Sequence, residues 1–192
     1  MIDHLKGKLD RVTPTYAVVD CQGVGYLAHI SLNTYTRIKD TTQVHLFIHP
    51  VIREDAHLLY GFADEHEREV FRMLISVSGV GSATARMILS SLSAQDTEMA
   101  ILSGDVGALK RIKGIGAKSA ERIIIDLKDK VGKGAIHDFL LPIGNQATEA
   151  AMALQALGFN RAAIDKALQK AKENQQGEVQ VEEMIKQALK FL

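Results

Sequence analysis

The sequence predicts an α+β chain of three parts: a small closed β-barrel, a doubled helical hairpin and a three-helix bundle. Three observations carry this. Short β-type runs separated by turn residues fill residues 1–63. One pattern then occurs twice, as LISVSGVGSATARMIL over residues 74–89 and as LKRIKGIGAKSAERII over residues 109–124, at a constant offset of 35. A repeat of that kind is one supersecondary unit used twice. Residues 147–192 keep helical periodicity throughout, broken at Gly158-Phe159-Asn160 and between Asn174 and Gly177.

In the first part the β-type runs cover residues 2–9, 16–21, 25–30, 44–52 and 58–62, with turn material such as Thr13-Pro14-Thr15 and Asp40-Thr41-Thr42 between them. Five or six short strands in so little chain suit a small barrel of OB-like type. The stretch from Gly23 to Ala28 formally fits a dinucleotide fingerprint but lies between two strand runs with no helix after it, so it predicts no nucleotide site. His4, His29, His45 and His49 form no plausible ligand group, and the single cysteine, Cys21, excludes an internal disulfide and an all-cysteine metal site. No metal and no cofactor is expected.

The repeated unit spells out its own geometry. Leu74 lies on Leu109, Val77 on Ile112, Gly79 on Gly114, Gly81 on Gly116 and Ala85 on Ala120. Apolar residues three apart end one helix, glycines turn the chain where a Cβ would obstruct it, and a second helix begins. Met87 with Ile88, and Ile123 with Ile124, are expected on its inner face. Ala85 and Ala120 stand where the paired helices must approach closely. At each tip the amides of Gly81, Ser82 and Ala83, or of Gly116, Ala117 and Lys118, are left without helical acceptors, and orphan donors plus helix dipole suit a phosphate.

Charge agrees locally but not globally. Lysine plus arginine equals aspartate plus glutamate at 23 each, so any affinity for nucleic acid must come from placement. Residues 106–120 hold Lys110, Arg111, Lys113 and Lys118 with no acid; residues 70–95 hold Arg72 and Arg86, again with none. There is no tryptophan, so base stacking is a minor theme. No G-x-x-x-x-G-K-[ST] occurs, which excludes the usual triphosphate cradle and leaves any ATP-driven work to a partner. No catalytic residue is expected. The absence of a signal pattern and of a long apolar run predicts a cytoplasmic protein with no membrane contact.

Elsewhere, Glu54-Asp55 places two carboxylates in a hairpin turn, which residue type alone reads as solvated surface. Residues 64–77 read as a helix leading into the first hairpin, and Ser93 or Asp96 as the cap of a short helix ending near Leu102. Residues 132–146 look like a flexible linker, with the preceding helix ending at Gly132-Lys133-Gly134. The parts are therefore a barrel over 1–63, a hairpin domain over 64–131, the linker, and a bundle over 147–192.

Both repeats match the helix-hairpin-helix pattern of DNA-binding proteins at every position. Leu157-Gly158-Phe159 is similar to the loop of ubiquitin-associated (UBA-like) folds, whose exposed apolar residues bind another protein. With Met1-Ile2, Gly23-Val24-Gly25-Tyr26, the block from Val51 to Ala56 and Leu59-Tyr60-Gly61-Phe62, the whole chain resembles the RuvA family of Holliday-junction branch-migration subunits. That resemblance implies a homotetramer, or an octamer of two tetramers on DNA. It implies sequence-independent grip on four-way junction DNA through Gly79, Val80, Gly81, Ser82, Ala83 and Arg86 of one hairpin and Lys113, Gly114, Ile115, Gly116, Ala117 and Lys118 of the other. Glu54 and Asp55 become an acidic pin at the junction centre. Leu157, Gly158 and Phe159 become the docking site for the ATPase motor RuvB, with the junction resolvase RuvC a further partner. Family members often carry a lysine just after the first hairpin; this chain has Ser82-Ala83-Thr84, leaving that hairpin with amides and Arg86. The rival readings are a helix-hairpin-helix DNA glycosylase, with Lys118 or Asp126 doing chemistry, and a general DNA-repair scaffold.

Overall fold

A computed structural model describes residues 1–133, 146–173 and 180–192. The chain divides into two compact units, Met1–Ala135 and Ile136–Leu192. The expected linker falls outside the described residues except at its ends, and so does the expected break between Asn174 and Gly177. Among the described residues no helix is long and apolar enough to cross a membrane.

The first unit opens with a barrel of β1 (His4–Val12), β2 (Tyr16–Cys21), β3 (Val24–Ile30), β4 (Gln43–Ile52) and β5 (His57–Phe62). The closed order is β1-β2-β3-β5-β4, with β4 antiparallel to β1 and the β3–β5 pair parallel. Alternation sends Leu5, Ala17, Val19, Ala28, Ile30, Leu46 and Ile48 inward to a common core. Gly7 is required by packing, because a Cβ there would lie 2.1 Å from the Asp20 carbonyl oxygen. The β2–β3 turn takes φ of +56° at Gln22 and +91° at Gly23, the left-handed pair that matches the strand twist. This turn accounts for the first glycine of the formal dinucleotide fingerprint. A helix that the sequence pattern does not suggest, α1 (Leu32–Ile38), joins β3 to β4 and is capped by Ser31.

After the barrel, four helices precede the long α6 (Ala117–Lys133): α2 (Glu65–Ile75), α3 (Ser82–Ser91), α4 (Ala94–Ser103) and α5 (Val106–Lys110). Val70, Phe71, Leu74, Ile88, Leu89, Ile101, Leu109, Ile123 and Leu127 form one core, which Tyr60 and Phe62 of β5 enter. Phe71 sits 5.1 Å from the Tyr60 ring and 4.9 Å from that of Phe62. The expected inner pair Met87–Ile88 is corrected: Met87 is 42% exposed, and Ile88 and Leu89 are the buried pair, in register with Ile123 and Ile124. Helix α6 passes through Gly132 and ends at Lys133, within the Gly132-Lys133-Gly134 stretch expected to stop it. Glycine is only about 1 kcal/mol worse than alanine inside a helix, and burial of Val131 carries α6 on to Lys133.

The second unit contains α7 (Gln146–Ala156), α8 (Arg161–Glu173) and α9 (Val181–Ala188), then a 3₁₀ turn over Leu189–Phe191. Ala150, Leu154, Ile164, Leu168, Met184 and Ala188 make its core. Gly158, at φ +96°, ends α7 in a Schellman motif: the Phe159 amide donates to Leu154 O and the Gly158 amide to Gln155 O. Phe159 packs on the core, while Leu157 stands 63% exposed.

Candidate nucleic-acid interface

Helix starts in the first unit follow two rules. Ser31, Asp64, Ser93 and Asp105 cap α1, α2, α4 and α5, each accepting an amide through its side chain. The helices at the two hairpin tips start differently. Gly81 precedes α3 with no side-chain cap, and Gly116, which has no side chain to offer, precedes α6. The orphan amides of the first turns are therefore left for an external acceptor.

The two tips share one backbone. Gly79 has φ of +89° and Gly114 of +91°, a region that a side chain makes strained. In each turn the residue between the glycines donates its own amide inward, Val80 to Val77 O and Ile115 to Ile112 O, and its side chain is buried. Val80 and Ile115 therefore shape the tips from within, and Ser82 is buried as well. Ala85 and Ala120 are fully buried at the helix crossings. Gly81 and Gly116 have no positive φ, and a Cβ at either would meet nothing within 4 Å. Among the described residues nothing demands glycine at these two places.

Beside the first tip runs a groove of about 450 Å³, lined by Ser78 and Gly79 of the first hairpin and by Lys118, Ser119, Glu121, Arg122, Ile125 and Asp126 of α6. Arg122 spans it, donating through Nη1 to Ser78 O at 3.3 Å. Sequence reasoning missed Arg122, although it lies one turn after Lys118 on the same helix face. Lys113 and Lys118 are exposed. Arg86 of the first hairpin reaches the barrel: its Nη1 donates to Thr15 O at 3.0 Å in the β1–β2 turn. The first hairpin thus has amides and little charge, and the second has both.

Glu54 and Asp55 sit at the tip of the β4–β5 hairpin, in a loop closed by the Arg53 amide donating to Ala56 O at 2.9 Å. Both are exposed, as are Ile52 and His57, the last register pair below them. Val51 and Leu58 of the same hairpin pack against the helical core, so the acidic turn and the first hairpin share one support.

The family models agree along the chain. Residues 1–61 match the RuvA N-terminal domain, 71–129 a SAM-like helix-hairpin-helix tandem and 145–192 the RuvA C-terminal domain. The chain is 48% identical to the "Holliday junction branch migration complex subunit RuvA" of Christiangramia forsetii, with all of both chains covered. Proteins of the same name from Flavobacterium psychrophilum and Bacteroides fragilis are 47% and 46% identical, again over the full length of both. The chain belongs to the RuvA family. Its fold, an OB-like barrel, a helix-hairpin-helix tandem and a RuvA C-terminal domain, is the RuvA fold. In this RuvA-family chain the first hairpin tip, Ser82-Ala83-Thr84, holds no lysine.

Proposed function

We propose that this chain is the non-catalytic DNA-binding subunit of a branch-migration complex. It recognises four-way junctions by their backbone and leaves ATP hydrolysis to a motor of the RuvB kind. One observation carries the reading: two tips of the same turn geometry present uncapped amides, with Lys118 in the groove beside them. Interactions of this sort meet phosphates and carry no base information. Relatives at 46–48% identity are named for the same complex. A glycosylase of this class would need a base pocket and an acid–base pair, and family membership leaves that reading and the general scaffold without support.

In this proposal four chains assemble around the junction, or eight as two tetramers, with Glu54 and Asp55 of each at the crossover. The second unit docks the motor, chiefly through exposed Leu157, since Gly158 and Phe159 shape the loop that presents it. RuvC-type resolvase is a further partner, and the cytoplasm is where such a complex would work. Salt titration of junction binding tests the grip: Lys118→Ala should lower the slope of log K against log salt by about 0.9 for each phosphate that goes unneutralised. A chain ended at Lys133 should keep the parent slope and lose stimulation of the motor's ATPase. An unchanged slope in Lys118→Ala would remove α6 from the phosphate site.

A further inference from the structure

The two hairpins are built alike and connected differently. The second packs on its helical neighbours. The first is tied to the barrel by polar interactions along the second half of α3. At its middle, Arg86 donates to Thr15 O at 3.0 Å. At its end, Asn33 of α1 donates through Nδ2 to Leu89 O at 2.6 Å and to Leu92 O at 2.9 Å. Beside it, the Leu32 amide donates to Ser90 Oγ at 3.1 Å. The last carbonyls of a helix have no partner within it, and Asn33 satisfies one of them, Leu89 O, together with Leu92 O just beyond the helix. Ala83 stands where the second hairpin has Lys118, and Ser78 where it has Lys113, so the one arginine of α3 is held on the barrel in a hairpin that has no lysine at its tip.

We propose that the hairpins divide the work: the second supplies salt-dependent affinity, and the first, latched to the barrel by Arg86 and Asn33, sets where a duplex arm lies relative to the acidic turn. Arg86 and Asn33 are then positioning residues for junction selectivity. The physical reason is geometric. Holding a plain duplex requires only the two tips. Holding a junction also requires the tips at a fixed place relative to Glu54 and Asp55, whose hairpin rests on the same core as α2. The hydrogen bonds of Asn33 and Arg86 fix α3, hence the first tip, to that frame. This inference rests on the junction-binding reading above.

The test compares the full-length parent with Asn33→Ala, Arg86→Gln and the pair, each measured against a four-way junction and a linear duplex of equal length across a salt series, with thermal melting alongside. Asn33→Asp, which keeps the side chain's size and removes its donor, replaces alanine if that variant does not fold. The expected result for the pair is a loss of junction preference of at least about fivefold, which is roughly the loss of one or two net hydrogen bonds. Duplex affinity and salt slope should stay at parent values. A slope reduced by about 0.9 in Arg86→Gln would make Arg86 a phosphate ligand and overturn the proposal. An unchanged junction-to-duplex ratio would overturn it too, as would a proportional fall in both affinities, which is what mere destabilisation produces. Lack of junction preference in the parent would instead contradict the proposed function, so the two failures are told apart.

Discussion

Aspartate at both Gly81 and Gly116 should leave the protein at least as stable as the parent while abolishing its binding to DNA. The stability half follows from the helix starts. Each glycine stands immediately before a helix, Gly81 with no side-chain cap, and aspartate is among the best residues for that position, glycine trailing it by a few tenths of a kcal/mol. Its charge also complements the helix dipole, worth about 0.3–1 kcal/mol at an exposed end. Neither position is crowded, since a Cβ would meet nothing within 4 Å. The binding half follows from the same geometry. The new carboxylate would accept the amides that a phosphate otherwise uses and would place like charge about 4 Å from it, a repulsion of roughly 1–4 kcal/mol between water and a protein surface. Two such sites should cost at least about thirtyfold in affinity. Melting and junction titration of the double variant check both halves together. A folded variant that binds junctions like the parent would show that the tips do not hold phosphate.

Neutralising the acidic turn, Glu54→Gln with Asp55→Asn, should act in the opposite direction on plain duplex. Both residues are exposed at the end of a two-stranded hairpin, and their charge opposes any approach of backbone phosphates. In a four-fold assembly eight carboxylates would ring the point where strands exchange. Their use there is to keep phosphates from settling, so that strands separate and run outward along each arm, selectivity being obtained by repulsion from other geometries. Duplex affinity should rise, junction preference should fall, and migration with the motor present should change rate. If the residues are only a solvated turn, all three stay where they were, and the ratio of junction to duplex affinity at one fixed salt reads the difference.

The parts of this structure that local pattern controls were legible in the sequence. Strand alternation gave the barrel, because each inward residue is apolar wherever the sheet faces the core. The glycine spacing gave both tips, because φ near +90° at Gly79 and Gly114 leaves few residue choices. Helix α1 was not legible: Leu32 to Ile38 carries two threonines, a tyrosine and an isoleucine, a composition that leans toward strand. It is helical because Ser31 caps it and Glu67 anchors it from α2, accepting from the Ser31 and Thr34 hydroxyls. Burial raises the pKa of that carboxyl, with the two hydrogen bonds opposing. Long-range polar partners left no local trace either. Nothing near Arg86 in sequence announces Thr15, so residue type alone points it at phosphate. Arg122 was within reach, one helical turn from Lys118. Glu54 and Asp55 were legible as a turn, and their proposed role came from family resemblance, since two exposed acids carry no mark that separates a pin from solvent-facing surface.

The central claim is that this chain selects the four-way junction over its arms. The most direct measurement is competition between a synthetic four-way junction and linear duplex of the same length and sequence for the full-length protein at one fixed, near-physiological salt. Junction should displace duplex at a small fraction of the duplex concentration, whatever sequence the arms carry. Equal competition by the two, or a preference that follows arm sequence, would contradict the account.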